Sequence, residues 1–167
     1  MNIQDLGSLG ELVAAIATVA TLVYLAMQIR QNTTQSRAYT QRDLLTEIAK
    51  DNEKSARNPA LTKKGLDGYL ALNEDEKVEF ADLMLTMSVR FEASLRLYRD
   101  GLLDELLFQG HRRWVLAWLI TTGGREWWST VRDYYSEDVR KFFDNELENP
   151  GSLPKPITET MLNVGGK

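Results

Sequence analysis

The most conspicuous feature of the hydrophobic pattern is an uncharged run at residues 12–29, LVAAIATVATLVYLAMQI, which contains neither Pro nor Gly. At about 1.5 Å per residue this run makes about 27 Å of helix, close to the roughly 30 Å hydrocarbon core of a bilayer. Tyr24 lies near its C-terminal end, where an aromatic ring suits the membrane interface, and Arg30 follows at once and can reach head groups. The flank before the run is acidic and the sequence Leu25-Ala26-Met27-Gln28 is a poor cleavage site, unlike a signal peptide. The run is rich in Ala and Thr, which also suits a buried helix of a soluble protein, but its uncharged length favours a span. It has no basic face of the kind an interfacial helix carries.

The run has two unlike sides. Gly10, Ala14, Ala17, Thr21, Tyr24, Gln28 and Gln31 recur at alternating spacings of four and three and form a stripe of small and polar residues. Leu12, Ile16, Val19, Val23 and Met27 form a bulky aliphatic stripe. Spans associate through small residues that let backbones approach and through interhelical hydrogen bonds, so the first stripe predicts a homo-oligomer contact and the second a lipid face. Glu11 would stand at the outer mouth of such an assembly.

Beyond the run, residues 28–57 contain no helix breaker until Asn58-Pro59, so the helix is predicted to continue, although Thr33, Thr34 and Ser36 compete for backbone groups. Leu44, Leu45 and Ile48 give it a short apolar face. A short helix and a turn with Gly65 and Gly68 come next. Asn73 and Glu76 form a capping box ahead of Phe80, Leu83, Met84, Met87, Phe91, Leu95 and Tyr98, a long amphipathic helix ending near Asp100-Gly101. Another helix is predicted over about 103–122, with a core stretch from Trp114 to Ile120 and a stop at Gly123. The next carries Trp127, Trp128, Val131, Tyr134 and Tyr135. The tryptophans are mostly core by periodicity, but neighbours on a helix do not share a face, so one of Trp127 and Trp128 points away from the other and, where exposed, would mark a partner contact. Ser136 caps a last helix with Glu137 and Asp138 in its first turn and Val139, Phe142, Phe143 and Leu147 inside. From Asn149 the chain holds three of its four prolines and reads as an extended tail.

Charge fixes a direction. The first 29 residues carry only Asp5 and Glu11, and all 20 Lys and Arg lie from Arg30 onward. Arg30, Arg37 and Arg42 follow the span closely, which predicts an outer N-terminus and a cytoplasmic helical body; Arg30 and Arg37 are candidate lipid head-group contacts. The net charge of −4 argues against a nucleic-acid partner. The chain has no Cys and one His, His111, which excludes disulfides, thiolate metal sites and a His-rich zinc site within one chain.

No catalytic constellation stands out. The acids at 74–82 lie around a helix start, where solvated, dipole-favoured charge accounts for them. Paired Glu-x-x-His motifs are missing, and Gly7-Ser8-Leu9-Gly10 is no nucleophile elbow. Gly123-Gly124-Arg125 reads as a helix-helix turn ahead of an anion site. Arg90, Arg96, Arg99, His111, Arg112 and Arg113 could offer a basic surface to lipid, but Glu92, four residues before Arg96, suggests neutralising ion pairs instead. No cofactor or metal is expected.

The opening LGSLGELVAAIATVATLVYLAMQIRQNT, together with RFEASLRLYRDGLLDE, HRRWVLAWL and TTGGREWWSTVRDYYSEDVRKFFDNEL, resembles a group of uncharacterised bacterial proteins with one N-terminal span and a small helical domain. Gly124-x-x-Trp127-Trp128 and Phe142-Phe143 are its most distinctive pieces. The resemblance implies a bacterial inner-membrane protein and transfers no activity.

The expectation is therefore an all-α chain: an outer segment at 1–11, a transmembrane helix at 12–29, a cytoplasmic helical bundle at 30–148 and a tail at 149–167. It is expected to act as a membrane-anchored homo-oligomeric scaffold or interaction protein, touching lipid and an unidentified membrane partner. An oligomeric ion channel and a membrane-tethered enzyme or ligand sensor are the alternatives.

Overall fold

The computed structural model describes residues 3–149, 151 and 153–159. Every regular element among them is a helix, so the chain is all-α. The elements are α1 (Ile3–Arg57), α2 (Pro59–Asp67), α3 (Glu74–Arg99), α4 (Glu105–Leu119), α5 (Thr122–Val131), a 3-10 turn (Arg132–Tyr134) and α6 (Glu137–Glu148). The chain divides into two compact units, residues 1–40 and 41–167.

Every described residue of the first unit lies in α1. Threonines within it do not break it, because their hydroxyls return a hydrogen to the preceding turn: Thr18 Oγ1 donates to Ala14 O at 2.9 Å, Thr33 Oγ1 to Ile29 O at 2.9 Å and Thr34 Oγ1 to Arg30 O at 3.0 Å. The outer segment expected at 1–11 is helical from Ile3 onward and continuous with the apolar run.

The second unit is a helical bundle whose ends are set by local chemistry. Pro59 has no N–H to donate and disfavours helix at Asn58, so α1 stops there. The Asn58 side chain accepts from Leu61 N at 3.2 Å and starts α2. The capping box forms as read: Asn73 Oδ1 accepts from Glu76 N at 2.9 Å, and Glu76 Oε2 accepts from Asn73 N at 3.0 Å. Past α3, Gly101 adopts φ +68, a left-handed turn that suits glycine. Asp104 and Thr121 cap α4 and α5 through Leu106 N at 2.9 Å and Gly124 N at 3.0 Å.

The core is aromatic. Phe91, fully buried, lies 4.9 Å from Phe143, 5.1 Å from Phe142 and 6.0 Å from Phe108 between ring centroids. Trp118, Trp127, Leu116, Leu119 and Val139 are buried with it. Full burial of each such side chain contributes about 1.5–3 kcal/mol.

Several boundaries and exposures differ from the sequence reading. Helix α4 ends at Leu119 and Gly123 belongs to α5, so Gly123 is not a stop. Its lack of a side chain serves packing instead: a Cβ there would fall 1.7 Å from Gly65 O, so α5 rests directly on the backbone of α2. Leu44 is buried but Leu45 is exposed, which narrows the apolar face of α1. Ser136 stands at the start of α6, yet its hydroxyl donates to Glu92 Oε1 on α3 at 3.0 Å and makes no capping bond. The tail does not simply run free: Leu153 packs against the core and Ile157 is buried. Residues 160–167 lie outside the described residues.

Candidate functional site

The candidate span and the bundle each present a candidate surface. In the span, α1 turns about 100° per residue, which places Gly10, Ala14, Ala17, Thr21, Tyr24 and Gln28 within one arc of about 80°. Leu12, Ile16, Val19, Val23 and Met27 fill an arc of similar width on the opposite side. Arg30 and Arg37 fall inside that second arc, below the aliphatic stripe. Both arginines are exposed. Their long side chains are thus in line with an exposed aliphatic stripe, along whose surface the methylene stems can lie.

Among the described residues, nothing covers the apolar stretch of this helix. Leu12, Ile16, Val19, Val23 and Met27 are 55–61% exposed. Gly10, Ala14, Ala17, Thr21 and Tyr24 are exposed as well, and Gln28 is half-buried. By length and composition α1 is the one helix among the described residues that could cross a membrane, and none of its apolar stretch is buried inside the chain. Thr21 Oγ1 donates to Ala17 O at 2.8 Å, so toward a neighbouring helix it offers acceptor lone pairs only. Donors on the same stripe are the Tyr24 hydroxyl and the Gln28 amide. Glu11 is exposed but lies about 100° round the helix from Gly10, on the side of Leu22 and Ile29. The helix therefore does not bring Glu11 onto the small-residue stripe.

The bundle corrects one expected contact. Neither Trp127 nor Trp128 is exposed: they retain 0% and 3% of their surface. Adjacent rings do point to different faces, but different elements cover each face. Trp127 lies in the core with its ring 6.5 Å from Tyr135. Trp128 meets Phe143 of α6 edge-on at 5.0 Å and donates its indole N–H to Asp144 Oδ1 at 3.0 Å. Both rings are consumed by the fold, so they are withdrawn as a partner contact.

Of the expected basic surface, Arg90, Arg96, Arg99 and Arg112 are neutralised internally, while Arg113 is exposed. Arg96 pairs with Glu92 at 2.6 Å and Arg99 with Asp138 at 2.5 Å. Arg112 grips Glu146 with two nitrogens, Nε to Oε1 at 3.1 Å and Nη2 to Oε2. Arg90 ties α3 to α1: its Nη1 meets Asp51 Oδ2 at 2.5 Å and Glu47 O, while Nη2 meets Glu47 Oε2 at 2.9 Å. Burial pushes the Asp51 carboxyl above its ordinary range, and the Arg90 charge opposes the shift. This clamp escaped the sequence reading. Glu47 and Asp51 stand four apart on one helix side, a repulsive arrangement that signals a cation in between.

His111 is buried with Nδ1 3.0 Å from Ser94 Oγ. Ser94 Oγ already donates to Phe91 O at 2.8 Å, so Nδ1 carries the hydrogen and donates to Ser94. An imidazole that donates to a serine does not serve as its base, and Ser94 is itself fully buried. Burial, seconded by the Arg90 charge, lowers the His111 pKa to about 4, so the ring is neutral at pH 7. The pair is a structural one. No family model, curated protein or solved structure matches this chain.

Proposed function

We propose that this chain is a membrane-anchored, homo-oligomeric scaffold or interaction protein of a bacterial inner membrane, with the N-terminus outside and the helical bundle in the cytoplasm. The observation that carries this reading is the sidedness of a helix with no intramolecular cover. Five large aliphatic side chains of one stripe, each more than half exposed, would leave roughly 5 kcal/mol of unrealised burial in water. Lipid supplies that cover. Lipid gives no hydrophobic drive for pairing, so the opposite stripe of Gly10, Ala14, Ala17 and Thr21 is where copies would associate through close backbone approach. The function is then placement: the anchor confines the bundle to the membrane plane and raises its local concentration for a membrane partner.

The test is the mass of the purified chain in a mild, mass-matched detergent, for the parent and for Ala17→Leu. A defined multimer that Ala17→Leu dissociates supports the reading. A parent that runs as a clean monomer removes the oligomer.

A further inference from the structure

A void of about 190 Å³ opens where α1, α2 and α3 meet, at the bend forced by Asn58-Pro59. Its floor is apolar: Leu61, Phe80 and Leu83 are all buried, and Thr62 turns its hydroxyl away to donate to Ser55 O at 2.9 Å. Its rim is polar, formed by Lys54, Arg57, Asn58 and Glu79. Three of these rim groups are already committed. Lys54 Nζ donates to Asp82 and, at 3.3 Å, to Thr86 Oγ1. Asn58 accepts from Leu61 N and donates to Glu79 Oε1 at 3.2 Å. Arg57 has no partner among the described residues.

We propose that this cleft binds a small monocarboxylate, its carboxylate on Arg57 and an apolar body of about four to six carbons on Leu61, Phe80 and Leu83. Each part of that description follows from the walls. The guanidinium fork matches a planar carboxylate with two parallel hydrogen bonds. At roughly 30 Å³ per water-sized group the void takes about six heavy atoms, far short of a nucleotide or coenzyme. Glu79 at the rim, and Asp82 beside Lys54, repel a second negative charge, so a dicarboxylate is disfavoured. A ligand here would touch the end of α1 and both helices packed on it, giving the bundle a chemical input independent of the anchor.

The experiment uses the full chain in lipid nanodiscs with methyl-labelled leucine, titrated with hexanoate, hexanol and succinate. Saturable shifts of the Leu61 and Leu83 methyls by hexanoate in the millimolar range are expected, with hexanol and succinate at least about tenfold weaker. Arg57→Gln, a change at an exposed position, should lower hexanoate to the affinity of hexanol. The proposal is overturned if those methyls do not shift saturably, if hexanol equals hexanoate, or if Arg57→Gln leaves hexanoate binding unchanged.

Discussion

Replacing Arg90 with methionine tests how the bundle holds the C-terminal part of α1. The side chains of Arg90 and Asp51 retain 16% and 6% of their exposure, so the pair is largely shielded from water, whereas Glu47 keeps 42%. Removing one partner of a buried pair leaves the other charge uncompensated and costs about 3–5 kcal/mol. The Glu47 contact is half in solvent and adds no more than about 1 kcal/mol. Residual exposure of Arg90 and escape of Asp51 by protonation favour the low end, so Arg90→Met should cost about 3 kcal/mol. In a bundle of this size that lowers Tm by about 10 °C. The double variant Asp51→Asn with Arg90→Met removes both charges and should recover about half of the loss or more, because no buried ion is left unpaired. Tryptophan fluorescence follows unfolding of the full chain in detergent, and hydrogen exchange at residues 44–57 reports whether α1 loosens from α3. A loss below about 0.5 kcal/mol for Arg90→Met, or a double variant no more stable than the single one, would refute the buried-clamp reasoning.

Other outcomes follow from the same packing. Burial lowers the His111 pKa to about 4 from the ordinary imidazole value of 6.5, so its stabilising effect is complete above pH 6.5 and is lost as pH falls toward 4, amounting to about 3 kcal/mol. His111→Asn should flatten unfolding free energy against pH in that window; an unchanged slope would contradict the burial account. Asp51 works in the opposite sense, since its raised pKa makes stability fall as pH rises through the upper carboxylate range, and Asp51→Asn should remove that decline. Gly123→Ala places a Cβ 1.7 Å from Gly65 O, so α2 and α5 must separate; a loss of about 3 kcal/mol in the same unfolding assay is expected, and a neutral effect would mean the helices do not touch there. Phe91→Ala, at the centre of four aromatic contacts, should cost about 3–5 kcal/mol, and a smaller loss would show a core able to collapse.

The features legible in the sequence are those whose cause is local. Asn58-Pro59 breaks a helix through its own backbone, Asn73 and Glu76 cap through bonds three residues apart, and the α3 stripe from Phe80 to Leu95 is a periodicity within one element. The misread features depend on contacts from elsewhere in the chain. Gly123 resembles a helix stop until α2 is seen pressed against it. Trp127 and Trp128 obey the rule that neighbours face apart, but periodicity within α5 does not reveal that α6 waits on the second side with Phe143 and Asp144. The Arg90 clamp joins residues about forty positions apart, and Ile157 docks from a segment whose prolines read as a loose tail. The span surface is the reverse case: its two stripes were plain in the sequence, and the helix adds that Arg30 and Arg37 continue the aliphatic side while Glu11 leaves the small one.

The account stands on residues 12–29 lying within a bilayer. Alkaline carbonate extraction of membranes from cells making the full chain measures this directly. The chain should stay in the membrane pellet with an integral control protein; its release into the supernatant alongside a peripheral control would show that α1 is covered by something other than lipid.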